Sequence, residues 1–197
     1  MTISIIGSGA IGSVLARRFA ANGIDVAITN SRGASSLREL ARKLGPHVRA
    51  VDLPEALQAD TIILAVLYTT VPELADKIDW SGRTVIDATN AIDFSDFSPT
   101  ELNGKLSSDI VAEILPGARV VKAFNTLPAA TLAEDPGEAE GRRVIFVSGD
   151  DAEARKSVAA LVSRLGYAAI DLGRIQEGGR LQQFGESLQG LNLILKR

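Results

Sequence analysis

The chain has 197 residues, a formal net charge of −3 and a pI near 5.3; one hydrophobic core fills a protein of that size, and the charge balance offers no basic face for a nucleic-acid backbone. With 46% hydrophobic and 23% charged residues it has the composition of an ordinary globular protein. It contains no cysteine, which excludes disulfides, thiolate-held iron–sulfur clusters and cysteine-rich zinc sites.

The opening run Met1-Thr2-Ile3-Ser4-Ile5-Ile6-Gly7 lacks a basic n-region and a long apolar h-region, so it reads as a first strand and not as a signal peptide. The strongest apolar run, Ile62 to Leu67, falls far short of the ~20 residues that a membrane helix needs. A soluble, cytoplasmic chain with no membrane or nucleic-acid partner is expected.

Short β-branched runs alternate with helical periodicity, the pattern of βαβ units around a parallel sheet. Strands are expected near 3–6, 25–29, 48–51, 61–66, 84–88, 119–124, 144–148 and 168–171. Ser36 with Glu39, and Thr70 with Glu73, have the spacing of capping boxes, and Gly45 is placed to stop the first of these helices. Residues 90–108 read as a loop over the functional face, and 133–142 as a solvated excursion. After Asp150, the residues Val158, Leu161, Val162 and Leu165 predict an amphipathic helix ending at Gly166. Asp150-Asp151 suits the N-cap of that helix better than a metal, and no metal site is expected. Leu181, Phe184, Leu188, Leu191 and Leu195 recur at three- and four-residue steps, which predicts one helix face packed on the sheet or on a second subunit. The fold class that follows is α/β: a Rossmann-type, doubly wound, mostly parallel sheet with a small C-terminal α/β extension. A single domain over 1–197 is expected, with a nucleotide-binding core over 1–125 and an extension over 126–197 that completes the acceptor site.

The first strand runs directly into Gly7-Ser8-Gly9-Ala10-Ile11-Gly12, and Val14, Leu15 and Phe19 continue an apolar helical face. In such a motif the first glycine makes the tight turn, the second lets the backbone approach a pyrophosphate and the third lets helix pack on strand. Free N–H groups and a partial positive charge at the helix start then favour the anion. At the end of the second strand an NAD site places Asp or Glu, but this chain has Asn30-Ser31-Arg32. With no carboxylate to repel a phosphate, Arg32 and Ser31 suit a ribose 2′-phosphate, and a helix starting around Ser35 and Ser36 would add N–H groups. Charge-assisted bonds of about 1.5–3 kcal/mol correspond to a roughly ten- to hundredfold preference for NADP(H).

Ligands of open parallel sheets bind beyond the carboxyl ends of the strands. The candidates there are Val66, Leu67 and Asn90 for the cofactor, and Tyr68 with Asn125-Thr126-Leu127-Pro128 for its acceptor. Tyr68 either closes the core edge or stacks on a ring; Lys122 either aims at the site or reaches solvent at a sheet edge. His47, the single histidine, follows Gly45-Pro46 in a turn at the wrong end of the sheet and reads as a surface residue.

The glycine motif, Asn30-Ser31-Arg32, the segment Arg119 to Ala129 and Val147-Ser148-Gly149-Asp150-Asp151 together resemble the NADP-dependent coenzyme F420 oxidoreductase family over nearly the whole chain. That resemblance implies that Gly7 to Gly12 contact the pyrophosphate and Ser31 and Arg32 the 2′-phosphate. It also implies that Phe124, Asn125, Thr126, Leu127 and Pro128 face a deazaflavin ring, and that the protein is a homodimer. Archaeal members carry a histidine where this chain has Asn125, and relatives of the same architecture use ordinary flavin. The resemblance therefore implies hydride transfer between NADPH and coenzyme F420, FMN or FAD. Such an acceptor delocalises the incoming charge and needs no dedicated proton donor, unlike a carbonyl or imine. A non-catalytic NADPH sensor or partner-binding protein is the alternative that keeps the same nucleotide site.

Overall fold

The computed structural model describes residues 1–138 and 141–196. The strands are β1 (Ile3–Ile6), β2 (Val26–Thr29), β3 (Val48–Ala50), β4 (Thr61–Leu64), β5 (Thr84–Asp87), β6 (Ile92–Asp93), β7 (Ser98–Pro99), β8 (Arg119–Ala123), β9 (Gly137–Glu138), β10 (Gly141–Gly149), β11 (Ala168–Asp171) and β12 (Ile194–Lys196). The main sheet has the order β11-β10-β8-β5-β4-β1-β2-β3. Strands β3 through β8 along this path are parallel, β10 is antiparallel to β8, and β11 runs parallel to β10. Every expected strand is present within a residue or two, except that β10 is longer than expected. It begins at Gly141, and with β9 it turns part of the expected excursion into a hairpin; positions 139 and 140 lie outside the described residues.

Strands β1, β4 and β5 are buried along their whole length, as expected of parallel strands covered on both faces. On one face, helices α1 (Ala10–Ala21) and α6 (Ala152–Arg164) pack Leu15, Phe19, Val158, Leu161 and Val162 against Ile5, Ile28, Ile63 and Val121. The other face is covered by a 3-10 stretch over Tyr68–Lys77 and by α4 (Ser107–Ile114), which bring Val71, Leu74 and Val111 together with Trp80 onto Ile62, Leu64, Val85 and Val120. From β1 the chain winds one way to β2 and β3, then resumes on the other side at β4. The crevice of this sheet therefore opens between the carboxyl ends of β1 and β4.

Asp151 caps α6, its carboxylate accepting from Ala154 N at 2.7 Å, and Gly166 with φ +96° follows the helix as expected. Neither expected capping box forms. The first helix of that pair starts at Arg38 behind a 3-10 turn, and Thr70 instead donates to Leu67 O at 2.8 Å. The leucine stripe does not form a helix face. Residues 180–182 make one short turn, and Gly185 (φ +88°) and Gly190 (φ +79°) break the periodicity, because helix cannot continue through such a backbone. Only Leu188 of the stripe packs on the sheet, against Val144, Phe146 and Ala168; Leu181, Leu191 and Leu195 are exposed, and Leu195 lies in β12 opposite Arg142.

Candidate nucleotide cleft

The glycine motif occupies the crevice. Gly7 has φ +109°, and a β-carbon there would stand 2.1 Å from Ala65 O; at Gly12 it would stand 2.0 Å from Gly7 O. Both positions are closed to any side chain. Gly9 is different: a β-carbon there would meet nothing within 4 Å, so its backbone borders open space where a ligand can approach. Gly9 caps α1 without a side-chain acceptor for the first-turn amides, and no acidic residue lies in that turn. The helix start therefore keeps its donors and its partial positive charge turned to the cleft.

Asn30, at the end of β2, ties this loop to the next. Its Nδ2 donates to Ser8 Oγ at 2.8 Å, while its Oδ1 accepts from Arg32 N at 2.9 Å and from Ser36 Oγ at 3.1 Å. The Arg32 side chain is exposed at the cleft. Ser36 is a strut for this loop, its hydroxyl facing Asn30 and Gly33 O (2.8 Å). The expectation of free N–H groups at the helix start here is corrected at Ala34, whose N–H donates to Asp52 Oδ1 at 2.8 Å.

The cleft measures about 710 Å³, and its walls include Gly7 to Ile11, Asn30, Ser31 and Arg32 at one end and Val66, Leu67, Ala88 and Phe94 at the other. Gly12, Ser36 and Asn90 are not among its lining residues. Gly12 acts through close packing and Ser36 through Asn30, whereas Asn90 donates to Asn125 O at 2.8 Å.

The stretch after β8 is built inward. Phe124, Asn125, Thr126 and Leu127 are buried, and Pro128 is exposed. Phe124 has φ +64° and packs edge-on to Tyr167 with ring centroids 6.4 Å apart, a backbone state that costs about 1–3 kcal/mol and persists only where packing enforces it. Asn125 donates to Asn90 Oδ1 at 3.0 Å and to Gln182 O at 2.7 Å, so the C-terminal segment lies directly on this loop. The structure thus does not bring these side chains to the cleft. Tyr68 is half-buried on the apolar layer beneath; burial, then the Asp87 and Glu113 carboxylates, push its phenol up, and it stays protonated at neutral pH.

Lys122 reaches neither the cleft nor solvent. It is buried, 3.1 Å from Asp87 Oδ2, and also donates to Thr89 O at 3.3 Å. Asp87 further accepts from Ser108 Oγ (2.6 Å), Thr89 Oγ1 (2.6 Å) and Thr89 N (3.0 Å). Burial alone would push the Asp87 carboxyl up, but the Lys122 ammonium and these hydrogen bonds outweigh it and hold the group below the usual carboxylate range. His47 lies at the opposite end of the sheet, its Nδ1 2.7 Å from Asp25 Oδ1 beside a groove of about 610 Å³ lined by Met1, Thr2 and Ile3.

Comparison with known proteins agrees with this geometry. Residues 2–91 match the family described as NADP oxidoreductase, coenzyme F420-dependent. Rat metalloreductase STEAP3 is 26% identical over 178 residues, covering 88% of this chain and 34% of the rat protein; human metalloreductase STEAP2 is 26% identical over 187 residues, covering 92% and 35%. The chain therefore spans about a third of the length of the curated relatives it matches. Among solved structures, a hypothetical protein of Sinorhizobium meliloti is 51% identical with a TM-score of 0.96, covering 100% of this chain and 96% of the other. A candidate F420-dependent NADP reductase of Arthrobacter sp. FB24 is 28% identical with a TM-score of 0.74, covering 89% and 86%.

The residues that sequence reasoning missed are the Lys122 partners Asp87 and Ser107, Ser108 on Asp87, and Gln182 and Phe94. Lys122 and Asp87 are 35 positions apart, and no local spacing marks such a pair. Phe94 carried a faint signal, an aromatic inside an otherwise polar segment.

Proposed function

We propose that this chain is an NADP(H)-dependent oxidoreductase that passes a hydride between NADPH and a flavin or deazaflavin, with coenzyme F420, FMN and FAD as the acceptor class. The observation that carries the reading is the unfilled start of α1 beside Gly9, in one cleft with Asn30, Ser31 and Arg32 and with the apolar side chains of Val66, Leu67, Ala88 and Phe94. Gly7 to Ile11 hold the pyrophosphate through main-chain amides with Gly12 packed behind them, Asn30 fixes the two loops, and Ser31 and Arg32 take the 2′-phosphate. Ser36 supports that loop. Val66 and Leu67 border the nicotinamide end, which supplies the hydride when the nucleotide is bound. Asn90, Phe124, Asn125, Thr126, Leu127 and Pro128 support the acceptor side from behind the cleft, with Tyr68 in the apolar layer beneath; no catalytic acid is assigned, since a conjugated ring spreads the charge it receives.

The same reading takes the chain as one domain, with a nucleotide core over 1–125 and an extension over 126–197 that closes the acceptor side. The exposed leucines of that extension (Leu181, Leu191, Leu193 and Leu195) support a homodimer, and the lack of cysteine suits a reducing cytoplasm.

The test offers NADPH with coenzyme F420, FMN, FAD and ferric salts in turn and records NADPH oxidation. Turnover with a flavin or deazaflavin is expected. NADPH binding without turnover on any of the four would replace this reading with a nucleotide sensor, and no NADPH binding at all would end both.

A further inference from the structure

Two large aromatic residues stand in solvent at the cleft, Phe94 among its lining residues and Phe97 against Phe94. Strands β6 and β7 form a two-stranded antiparallel ribbon pairing Ile92 with Pro99 and Asp93 with Ser98, and its tip carries Phe94 and Phe97. Their side chains are 55% and 69% exposed, and their rings meet edge to face with centroids 5.9 Å apart. Most proteins bury phenylalanine, and a contiguous exposed apolar patch marks a surface that something covers.

The tip is held rigid in this exposed state. Asp93 Oδ1 accepts from Ser95 N (2.9 Å) and Ser95 Oγ (2.7 Å), and Asp96 Oδ1 accepts from Ser98 N (2.9 Å). Phe97 itself sits at φ +60°, a left-handed conformation unusual for a bulky residue and enriched where function requires it. Phe94 lines the same cleft as Gly7 to Ile11, Ala88 and Leu67, and Leu67 is itself 55% exposed. The aromatic tip is thus continuous with the nucleotide cleft through Phe94.

We infer that Phe94 and Phe97 form the platform on which the conjugated ring of the hydride acceptor stacks, with Leu67 as the apolar floor beside it. This inference rests on the proposed hydride transfer and names the residues that select its acceptor. The chemistry fits a planar tricyclic ring: one aromatic offers a face or edge, the second buttresses it, and exposed apolar area is covered on docking. The buried side chains of Phe124 to Leu127 leave this tip as the accessible aromatic surface of the cleft among the described residues.

The test needs no turnover. Protein saturated with NADP+ is titrated with FMN, and separately with FAD and coenzyme F420, while quenching of ring fluorescence reports stacking; NADP+ affinity is measured independently by calorimetry. Binding with quenching is expected for the unmodified protein. Phe94→Ala and Phe97→Ala are each expected to weaken ring binding about tenfold and to reduce the quenching. Phe97→Tyr, which keeps the ring, is expected to retain both, and NADP+ affinity is expected to stay within about twofold in the two Phe97 variants, whose side chain does not line the nucleotide cleft. The inference is overturned if the alanine variants bind the ring as tightly as the parent, if they lose NADP+ in equal measure, or if no ring binds the NADP+-loaded protein. In that last case the underlying reading still stands where NADPH is oxidised by FMN, FAD or coenzyme F420 in turnover, and falls with the inference where NADP+ itself does not bind.

Discussion

The carboxyl edge of this sheet treats polar groups in two opposite ways. Beyond β1 and β2, donors are held ready and left unfilled: the first-turn amides of α1 border open space, and Arg32 is exposed. Beyond β5 and β8, along the same edge, the buried ionic and amide side chains face partners. Lys122 meets Asp87, Asp87 meets Ser108 and Thr89, and Asn125 meets Asn90 and Gln182. Unfilled donors are tolerable where water or a ligand can reach them, whereas buried ones must be paired within the protein. The first region has the open donors a binding site needs, and the second is the frame that holds the loops around it.

The contrast breaks most severely at Lys122. Lys122→Met removes the counter-charge of a fully buried carboxylate, which is expected to cost about 3–5 kcal/mol and to lower Tm by roughly 10 °C. The pH dependence separates this from a simple packing loss. In the parent the Asp87 carboxyl is held low, so its contribution to stability is present above about pH 4 and is lost as pH falls through its lowered folded value. Without Lys122, burial dominates and raises the group, so the ionised form opposes folding and acidification relieves the penalty. Urea unfolding of both proteins between pH 4 and 7 should therefore show a deficit that is largest at pH 7 and shrinks toward pH 4. A deficit independent of pH would mean that the pair acts only by filling space.

Arg32 sits on the other side of the comparison and is expected to matter for the ligand and not for the fold. Arg32→Glu replaces an exposed cation with a carboxylate that repels a phosphate. NADPH should weaken about ten- to hundredfold while NADH changes by a few-fold at most. Thermal stability should shift by no more than about 0.5 kcal/mol, as surface changes do. Calorimetry with both nucleotides on both proteins checks it, and parallel losses for NADPH and NADH would remove Arg32 from the specificity site.

The two regions also differ in how far the sequence discloses them. The glycine site is local: a strand, a turn and a helix start fall within ten residues, and each glycine has a distinct steric reason that the structure bears out at Gly7, Gly9 and Gly12. Strand positions were equally readable, since parallel strands buried on both faces form continuous apolar runs. The frame is assembled from residues 15 to 60 positions apart, such as Lys122 with Ser107 and with Gln182, and periodicity carries no trace of those pairings. Strand direction was hidden as well, because nothing in Val144 to Val147 tells that β10 runs against β8. The leucine stripe shows the converse failure. Its three- and four-residue steps were real, but Gly185 and Gly190 with positive φ let the segment fold as turns and an edge strand. A periodic pattern is a proposal for a helix that intervening glycines can defeat.

Asn30 joins the two behaviours, being half-buried like the frame yet set within the open site, and so it gives the finest test. Its amide spends Nδ2 on Ser8 and Oδ1 on Arg32 N and Ser36 Oγ, so it ties together the two loops at the cleft. Asn30→Ala deletes these links without changing any charge, and the expected loss of fold stability is about 1 kcal/mol, the usual net value of such bonds near a surface. If Asn30 acts by positioning, NADPH should weaken about three- to tenfold because Arg32 and the glycine loop no longer hold one geometry. NADH should weaken less, since it makes no demand on the Arg32 loop. Asn30→Asp is the sharper companion: a carboxylate keeps the acceptor for Arg32 N but brings a negative charge toward the 2′-phosphate, so it should preserve the fold and discriminate against NADPH in particular. Equal affinity of Asn30→Ala and the parent for NADPH would show that the two loops hold their places independently, and that the open region needs no frame of its own.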